Sequence, residues 1–236
     1  IHTIFKSIYL DNGATTRVDK RVVDAMDPYF TQDYGNPSST HTKGNSAHDA
    51  LEESRTTIAK ALGAKSQEII FTSGGSESNN LALKGTAFAH NKNEKNHIIT
   101  STIEHKSVLS TCHWLNAQKY RITMIAPDTQ GFIDPEKIKK SITEKTLLVS
   151  IVHGNNEIGT IQDLKTIGDI CREKGVLLHI DACQSFLKTP IDVKKFNVDL
   201  VSINAHKLHG PKGVGALYVR EGLDITPLIH GSAQEH

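Results

Sequence analysis

Cysteine is scarce in this chain of 236 residues. Cys112, Cys171 and Cys183 are widely separated and odd in number, and no CxxC pair occurs. This excludes a disulfide scaffold and points to a reduced, cytoplasmic protein. An excess of one charge sign is lacking too. The formal net charge is +1, so nothing argues for nucleic acid or an anionic membrane surface. No apolar run approaches the roughly 20 residues that span a bilayer. Thirteen histidines invite a metal, yet none stands in HExxH and none pairs with cysteine at zinc-ligand spacing, so no metal is expected. The chain begins with Ile1 rather than Met, as a trimmed or processed chain would. Ile1 to Leu10 is too short and too mixed for a signal peptide. The basic cluster Lys137-Ile138-Lys139-Lys140 carries an apolar residue at helical spacing and reads as a solvated helix face rather than an anion patch.

What is present is a regular alternation of helix-like and strand-like segments. Ala47, Leu51, Ile58 and Leu62 fall on one helical stripe, stopped by Gly63. Further helices are expected over 75–89, 106–118 and 163–174, the last closed by Gly175. Asp134-Pro135 offers an N-cap and a first-turn proline for another, through Ile142. Strands are expected over 68–72, 97–101, 121–125, 147–152, 176–180, 199–203 and 214–219. Near-continuous apolar strands between amphipathic helices imply an α/β fold: a seven-stranded, mostly parallel sheet covered by helices on both faces. Ligands bind such sheets beyond the carboxyl ends of the strands. Residues 1–45 are less regular, with a clear loop at Gly35-Asn36-Pro37-Ser38-Ser39. They are expected to form an N-terminal arm or lid, and 46–236 the large domain.

The residues at those strand ends carry the chemistry. Ser202-Ile203-Asn204-Ala205-His206-Lys207 runs a strand into a lysine just before Gly210-Pro211-Lys212-Gly213, and the preceding strand ends on Asp181. A lysine and an aspartate so placed suit pyridoxal phosphate. The amine forms a Schiff base with its aldehyde, and the carboxylate keeps the pyridine nitrogen protonated. Lys207 is favoured over Lys212, which lies within the glycine turn; Asp181 as a helix N-cap is the competing reading. The loop Phe71 to Ser78 links a strand to a helix through Gly74-Gly75-Ser76. Backbone N–H groups at such a helix start, with the Ser76 hydroxyl, can take a phosphate. The loop is neither a Walker A sequence nor GxGxxG, which disfavours a nucleotide. His105 follows the strand 97–101, where an imidazole could stack on a planar cofactor and move protons; a structural role is the alternative. In His153-Gly154-Asn155-Asn156-Glu157 an asparagine amide is placed to meet a ring hydroxyl, although paired asparagines in loops are usually turn chemistry.

Together these residues resemble the NifS/IscS-type cysteine desulfurases, within the class V aminotransferase-like family of pyridoxal-phosphate enzymes of fold type I. The resemblance rests on seven ordered motifs: Tyr9 to Thr16, Gly35 to Ser39, Ser73 to Asn80, Thr102 to His105, Asn155 to Gly159, Asp181-Ala182-Cys183-Gln184, and His206 to Gly213. It implies that Lys207 holds the cofactor and that Asp181 pairs with the pyridine nitrogen. Gln184 and Asn156 would meet the ring oxygen, and His105 would stack on the ring and assist proton transfer. Gly75, Ser76 and His206 would hold the phosphate, with Asn204 standing where a phosphate-binding serine is usual. It further implies a homodimer that converts L-cysteine to L-alanine and passes a persulfide to iron–sulfur scaffold proteins or tRNA-thiolation carriers. Selenocysteine lyase and class V aminotransferase are sister activities on this scaffold. A non-catalytic dimerisation or partner-binding module is the third reading. The chain stops at Ile229 to His236, inside the family's glycine-rich stretch. The small domain, the persulfide-forming cysteine and the substrate-binding arginine that the resemblance implies would lie beyond it. Cys112 and Cys171 read as buried helix residues, and Cys183 as a neighbour of the expected ring.

Overall fold

Each central strand carries apolar residues on both faces, and that builds a doubly covered sheet. The structure, a computed structural model, describes residues 8–90, 95–231 and 233–235. Within it Ile99, Val149, Ile151, Leu178, Ile180, Val201 and Ile203 pack on one side, while Ile98, Leu148, Leu200 and Leu217 pack on the other. The strands are β1 (Ile69–Thr72), β2 (His97–Ser101), β3 (Arg121–Ile125), β4 (Thr146–Val152), β5 (Leu177–Asp181), β6 (Leu200–Asn204) and β7 (Gly215–Val219). They form one sheet in the order β1-β7-β6-β5-β4-β2-β3. The β2–β3, β2–β4, β4–β5 and β5–β6 pairs are parallel, and β7 is antiparallel to both β6 and β1. The turn between β6 and β7 is too short for the crossover that a parallel pair needs, so β7 reverses. Lying beyond the reversed strand, β1 again points the same way as the central strands.

The helices are α1 (Lys20–Thr31), α2 (Thr42–Leu62), α3 (Gly75–Asn80), α4 (Thr86–Ala89), α5 (Lys106–Ala117), α6 (Pro135–Ser141) and α7 (Leu164–Lys174). Helices α2, α6 and α7 cover one face through Ala59, Leu62, Ile138, Ile167 and Cys171; α4 and α5 cover the other through Ala87, Val108, Cys112 and Leu115. The expected punctuation holds. Asp134 accepts from Glu136 N ahead of Pro135, Asp163 accepts from Thr166 N, and Gly63 and Gly175 end their helices in the left-handed conformation. Ile138 is wholly buried while Lys137 and Lys140 of the same helix are exposed. The helical run expected from Gly75 to Ala89 is continuous, but Leu81–Gly85 widens into a π-helical turn between α3 and α4. There Gly85 O accepts a hydrogen bond from Thr226 N at 3.0 Å.

The N-terminal region is more ordered than expected. Asp19 caps α1 through Arg21 N, and α2 starts at Thr42, inside the segment taken as an arm. Helix α1 buries no residue. Its apolar residues Val22, Val23, Met26, Tyr29 and Phe30 nevertheless fall on one stripe at helical spacing, interrupted only by Pro28. Residues 1–7 of the expected arm lie outside the described residues, as do 232 and 236 of the glycine-rich stretch. At the far end Glu235 closes the free edge of β1. It accepts from Phe71 N at 2.6 Å and from both terminal nitrogens of the buried Arg55 at 2.9 Å, and Arg55 also donates to Ile69 O. Among the described residues no helix is long and apolar enough to cross a membrane.

Inside the sheet, histidine bridges neighbouring strands. His179 on β5 reaches Ser150 Oγ (2.8 Å) on β4 and Ser202 Oγ (2.9 Å) on β6; His97 on β2 reaches Thr146 Oγ1 (2.8 Å) and Thr123 Oγ1 (2.9 Å). His153 pairs with Ser185 Oγ at 2.8 Å. Burial holds all three imidazoles neutral, with pKa values down at about 4. Between pH 6.5 and 4 the unfolded chain therefore takes up protons that the fold does not, so stability falls as pH drops through that window. Each histidine contributes on the order of 2 kcal/mol to this loss. Denaturant midpoints measured from pH 7 to pH 4 are expected to fall accordingly, and a His153→Asn variant is expected to show a shallower slope.

Candidate active site

The carboxyl ends of β1, β2, β4, β5 and β6 face one edge of the sheet, and a cleft of about 370 Å³ opens there. All nine residues nominated from the sequence line it: Gly75, Ser76, His105, Asn156, Asp181, Gln184, Asn204, His206 and Lys207. Lys212 is exposed on the β6–β7 turn and does not line it. Gly13, Ala14, Asn79, Val152, Gly154 and Cys183 complete the lining. A larger cleft of about 720 Å³ opens at the opposite ends of β5 and β6. Four of its charged side chains are paired with each other, Lys65 with Glu221 and Arg220 with Asp199.

Asp181 is the last residue of β5 and is buried. Its Oδ1 accepts from Cys183 N at 3.0 Å and its Oδ2 from Asn79 Nδ2 at 2.8 Å. It therefore does meet a local backbone N–H, as the capping alternative supposed, while still lining the cleft. His105 likewise combines both readings. Its Nδ1 accepts from Ser107 N at 3.1 Å as the cap of α5, and the ring also borders the cleft. The two loop asparagines divide the work. Buried Asn155 makes the turn, accepting from Glu157 N and Ile158 N and donating to Ile103 O, whereas Asn156 faces the cleft. Gln184 keeps a buried Oε1 without a partner among the described residues.

Lys207 sits three residues past β6, where Asn204 Oδ1 accepts its backbone N–H at 3.3 Å. This turn is fastened to the N-terminal segment. His206 O accepts from Thr16 N and Thr16 Oγ1, both at 2.8 Å; Thr16 Oγ1 also accepts from His209 N at 2.8 Å. Thr15 Oγ1 lies 3.0 Å from His206 Nδ1. Burial, then the charges of Lys207 and Lys212, lower the pKa of His206. Burial first, then Lys207, also lowers that of Lys188. Sequence reasoning did not assign a role to Thr15, Thr16, Asn79 or Ser107. The first two belong to a motif whose partner lies 190 residues away. Asn79 was detectable in principle, one helical turn after Gly75.

Two features make the cleft specific to this sequence. A Cβ on Gly75 would meet Cys183 Sγ at 2.4 Å, so the missing side chain at 75 makes room for the thiol at 183. Beneath the cleft, buried Glu104 accepts from Val152 N at 2.9 Å and from Ser101 Oγ, while its Oε2 has no partner among the described residues. Burial chiefly, with the nearby Asp181 charge, pushes the Glu104 carboxyl up to about 8, so it is neutral at pH 7. The three thiols are all buried, and burial raises each. Cys112 and Cys171 are pushed up to about 12, and Cys183 is raised well above its usual value.

Comparison with known proteins places this geometry. Residues 8–234 match the family model for class-V aminotransferases. The chain is 50% identical over 235 residues to cysteine desulfurase IscS of Methanosarcina thermophila, covering 100% of this chain and 58% of that protein. It is 54% identical over 231 residues to cysteine desulfurase IscS of Rickettsia massiliae, covering 97% of this chain and 56% of the relative. A solved structure described as SspA in complex with cysteine superposes with a TM-score of 0.94 at 44% identity, covering 97% of this chain and 66% of that one. The chain belongs to the class V aminotransferase family, whose members depend on pyridoxal phosphate, and its mixed seven-stranded sheet is the fold type I architecture. It spans about 58% of the length of the first of these relatives.

Two measurements follow from the site. Gly75→Ala is expected to lower the thermal midpoint, and Cys183→Ala added to it to recover most of the loss; equal loss in single and double variants would refute the volume pairing. Glu104 resists ionising in the fold, so its contribution to stability declines as pH rises from 4.5 through 8. Glu104→Gln is expected to flatten that decline when denaturant midpoints are compared between pH 6 and pH 9.

Proposed function

We propose that the intact protein is a pyridoxal-phosphate-dependent cysteine desulfurase, which converts L-cysteine to L-alanine and passes the sulfur on as a persulfide. The observation that carries this reading is the single cleft bordered by Lys207, Asp181 and His105 from three strand ends, in a chain about half identical to cysteine desulfurases. The donor set fits the cofactor. It combines an amine, a buried carboxylate, an unpartnered amide oxygen on Gln184 and a helix start left open at Gly75. When bound, pyridoxal phosphate supplies an aldehyde for amines and a ring that accepts the electron pair released at a substrate's α-carbon.

Each residue then has a task. Lys207 would hold the cofactor through its Nζ and, when free, would serve as the base for the α-proton. Asp181 would keep the pyridine nitrogen protonated. Gln184 and Asn156 would hold the ring oxygen, and His105 would lie against the ring. The N–H groups at Gly75 and Ser76, together with His206 and Asn204, would hold the phosphate. Sulfur transfer needs a thiolate that attacks the substrate sulfur. The S–S bond forms, the Cβ–S bond breaks, and the carbon is protonated to give alanine. Cys112, Cys171 and Cys183 are unsuited, because a buried thiol with a raised pKa is not a thiolate at neutral pH. We assign that step to a cysteine of the intact protein other than these three, outside residues 1–236, and the onward acceptor to an iron–sulfur scaffold or sulfur-carrier protein.

We further propose a homodimer in a reducing compartment such as the cytoplasm. Three free, buried cysteines support the compartment. The dimer is supported by an apolar surface on the N-terminal segment, where Leu10 is 86% exposed and Phe30 70%.

The test is product analysis with the intact protein, pyridoxal phosphate and L-cysteine. Alanine with protein-bound sulfane sulfur is expected, and pyruvate or amino-group transfer instead would overturn the assignment. Lys207→Ala is expected to abolish both turnover and a borohydride-reducible link to the cofactor. In light scattering, Phe30→Glu is expected to shift the dimer towards monomer.

A further inference from the structure

We propose that Asn79 and Ser107 are positioning residues: one hydrogen-bonded chain through them ties the Asp181 carboxylate to the His105 imidazole and holds that imidazole as its Nε2–H tautomer. The consequence for the cofactor rests on the reading above; the chain of bonds is visible in the protein itself.

Asn79 lies on α3, one turn after Gly75, and is 1% exposed. Its Nδ2 donates both hydrogens, one to Asp181 Oδ2 at 2.8 Å and one to Ser107 Oγ at 2.8 Å. A carboxylate only accepts, so it dictates which end of the amide faces it. The other end, Oδ1, is buried without a partner among the described residues. A buried acceptor left bare is unfavourable, and the two donor bonds, one of them to a charged oxygen, offset it. Ser107 N donates to His105 Nδ1 at 3.1 Å, so that nitrogen accepts, and the Ser107 hydroxyl, 2.7 Å from it and already accepting from Asn79, turns its own hydrogen towards it. Two donors converge on Nδ1, so it carries the lone pair and the ring proton sits on Nε2.

Capping α5 requires only the backbone N–H of residue 107. Neither the hydroxyl at 107 nor the amide at 79 is needed for the cap. Both are instead placed where they join the two groups that would flank a bound ring: the carboxylate at its nitrogen and the imidazole at its face. A change in the charge or direction of either group is thereby felt by the other.

The experiment uses the intact protein, with and without pyridoxal phosphate. It reads the ¹⁵N shifts of the His105 ring, assigned by their loss in His105→Gln, and the cofactor dissociation constant. In the wild type Nδ1 is expected at the unprotonated position and Nε2 at the protonated one. Ser107→Ala is expected to move both shifts towards an average of tautomers, with cofactor affinity changed by less than about threefold; Ser107→Thr restores the wild-type shifts. Asn79→Leu is expected to move the same shifts and also to weaken cofactor binding by about 10- to 100-fold, the loss associated with one hydrogen bond to a charged group. Wild-type ring shifts in Ser107→Ala, or in a folded Asn79→Leu, overturn the proposal. If Asn79→Leu does not fold, the Ser107→Ala and Ser107→Thr pair decides it alone. Failure of the intact protein to take up pyridoxal phosphate would count against the functional reading, while the ring shifts would still decide whether the chain exists.

Discussion

A carboxylate buried at the end of a central strand constrains everything placed around it. Asp181 is 3% exposed, and an ionised carboxylate so deep must be met by donors or by a cation. Asn79 and the Cys183 backbone supply two bonds. The rest must come from the cleft side. Helix α3 must therefore start at the sheet edge, close enough for its second turn to reach β5. That places the Gly74–Ser76 corner beside Asn204 and the Lys207 turn. In this sense the phosphate-type corner, the carboxylate and the lysine form one packing solution rather than three independent motifs.

The floor beneath that carboxylate is polar yet almost without charge. His179 lies two residues below Asp181 on the same face, held by Ser150 and Ser202 and kept neutral by burial. Glu104 is kept neutral by the same penalty. Each of these polar groups is hydrogen-bonded across strands, so the layer fixes register. It also leaves Asp181 as the acidic side chain that lines the cleft. A cationic ring nitrogen meets little competition there. Lys207, three residues beyond β6, lines the same cleft, and its charge, after burial, lowers the pKa of Lys188 and His206.

Much of this was legible residue by residue. The strands 97–101 and 121–125 have the expected bounds, and the others shift by about one position, which moves Asp181 and Asn204 into the ends of β5 and β6. Helix stops at Gly63 and Gly175 and the caps at Asp134 and Asp163 followed from local chemistry. Helix α1 did not enter the reading, although Val22, Val23, Met26, Tyr29 and Phe30 fall on one stripe at helical spacing; that stripe is not buried against the core. Nor did the π-helical turn at Leu81–Gly85, whose sequence is good helix throughout. At the site, the nine nominated residues converge on one cleft. Their supporting partners were hidden: Thr16 bonds residues 190 and more positions away, and Ser107 reads as an ordinary first-turn serine.

The residue pattern specifies the layers of the fold, the edge on which chemistry sits and the residue types that reach it. Those follow from periodicity and from turn and cap residues, which act over a few positions. Long-range packing set the seating of the N-terminal segment against the lysine turn, the exchange of volume between Gly75 and Cys183, and the bonds that run from Asp181 through Asn79 to Ser107. Each of these depends on atoms brought together from distant parts of the chain, where distance and direction count and sequence spacing carries no information.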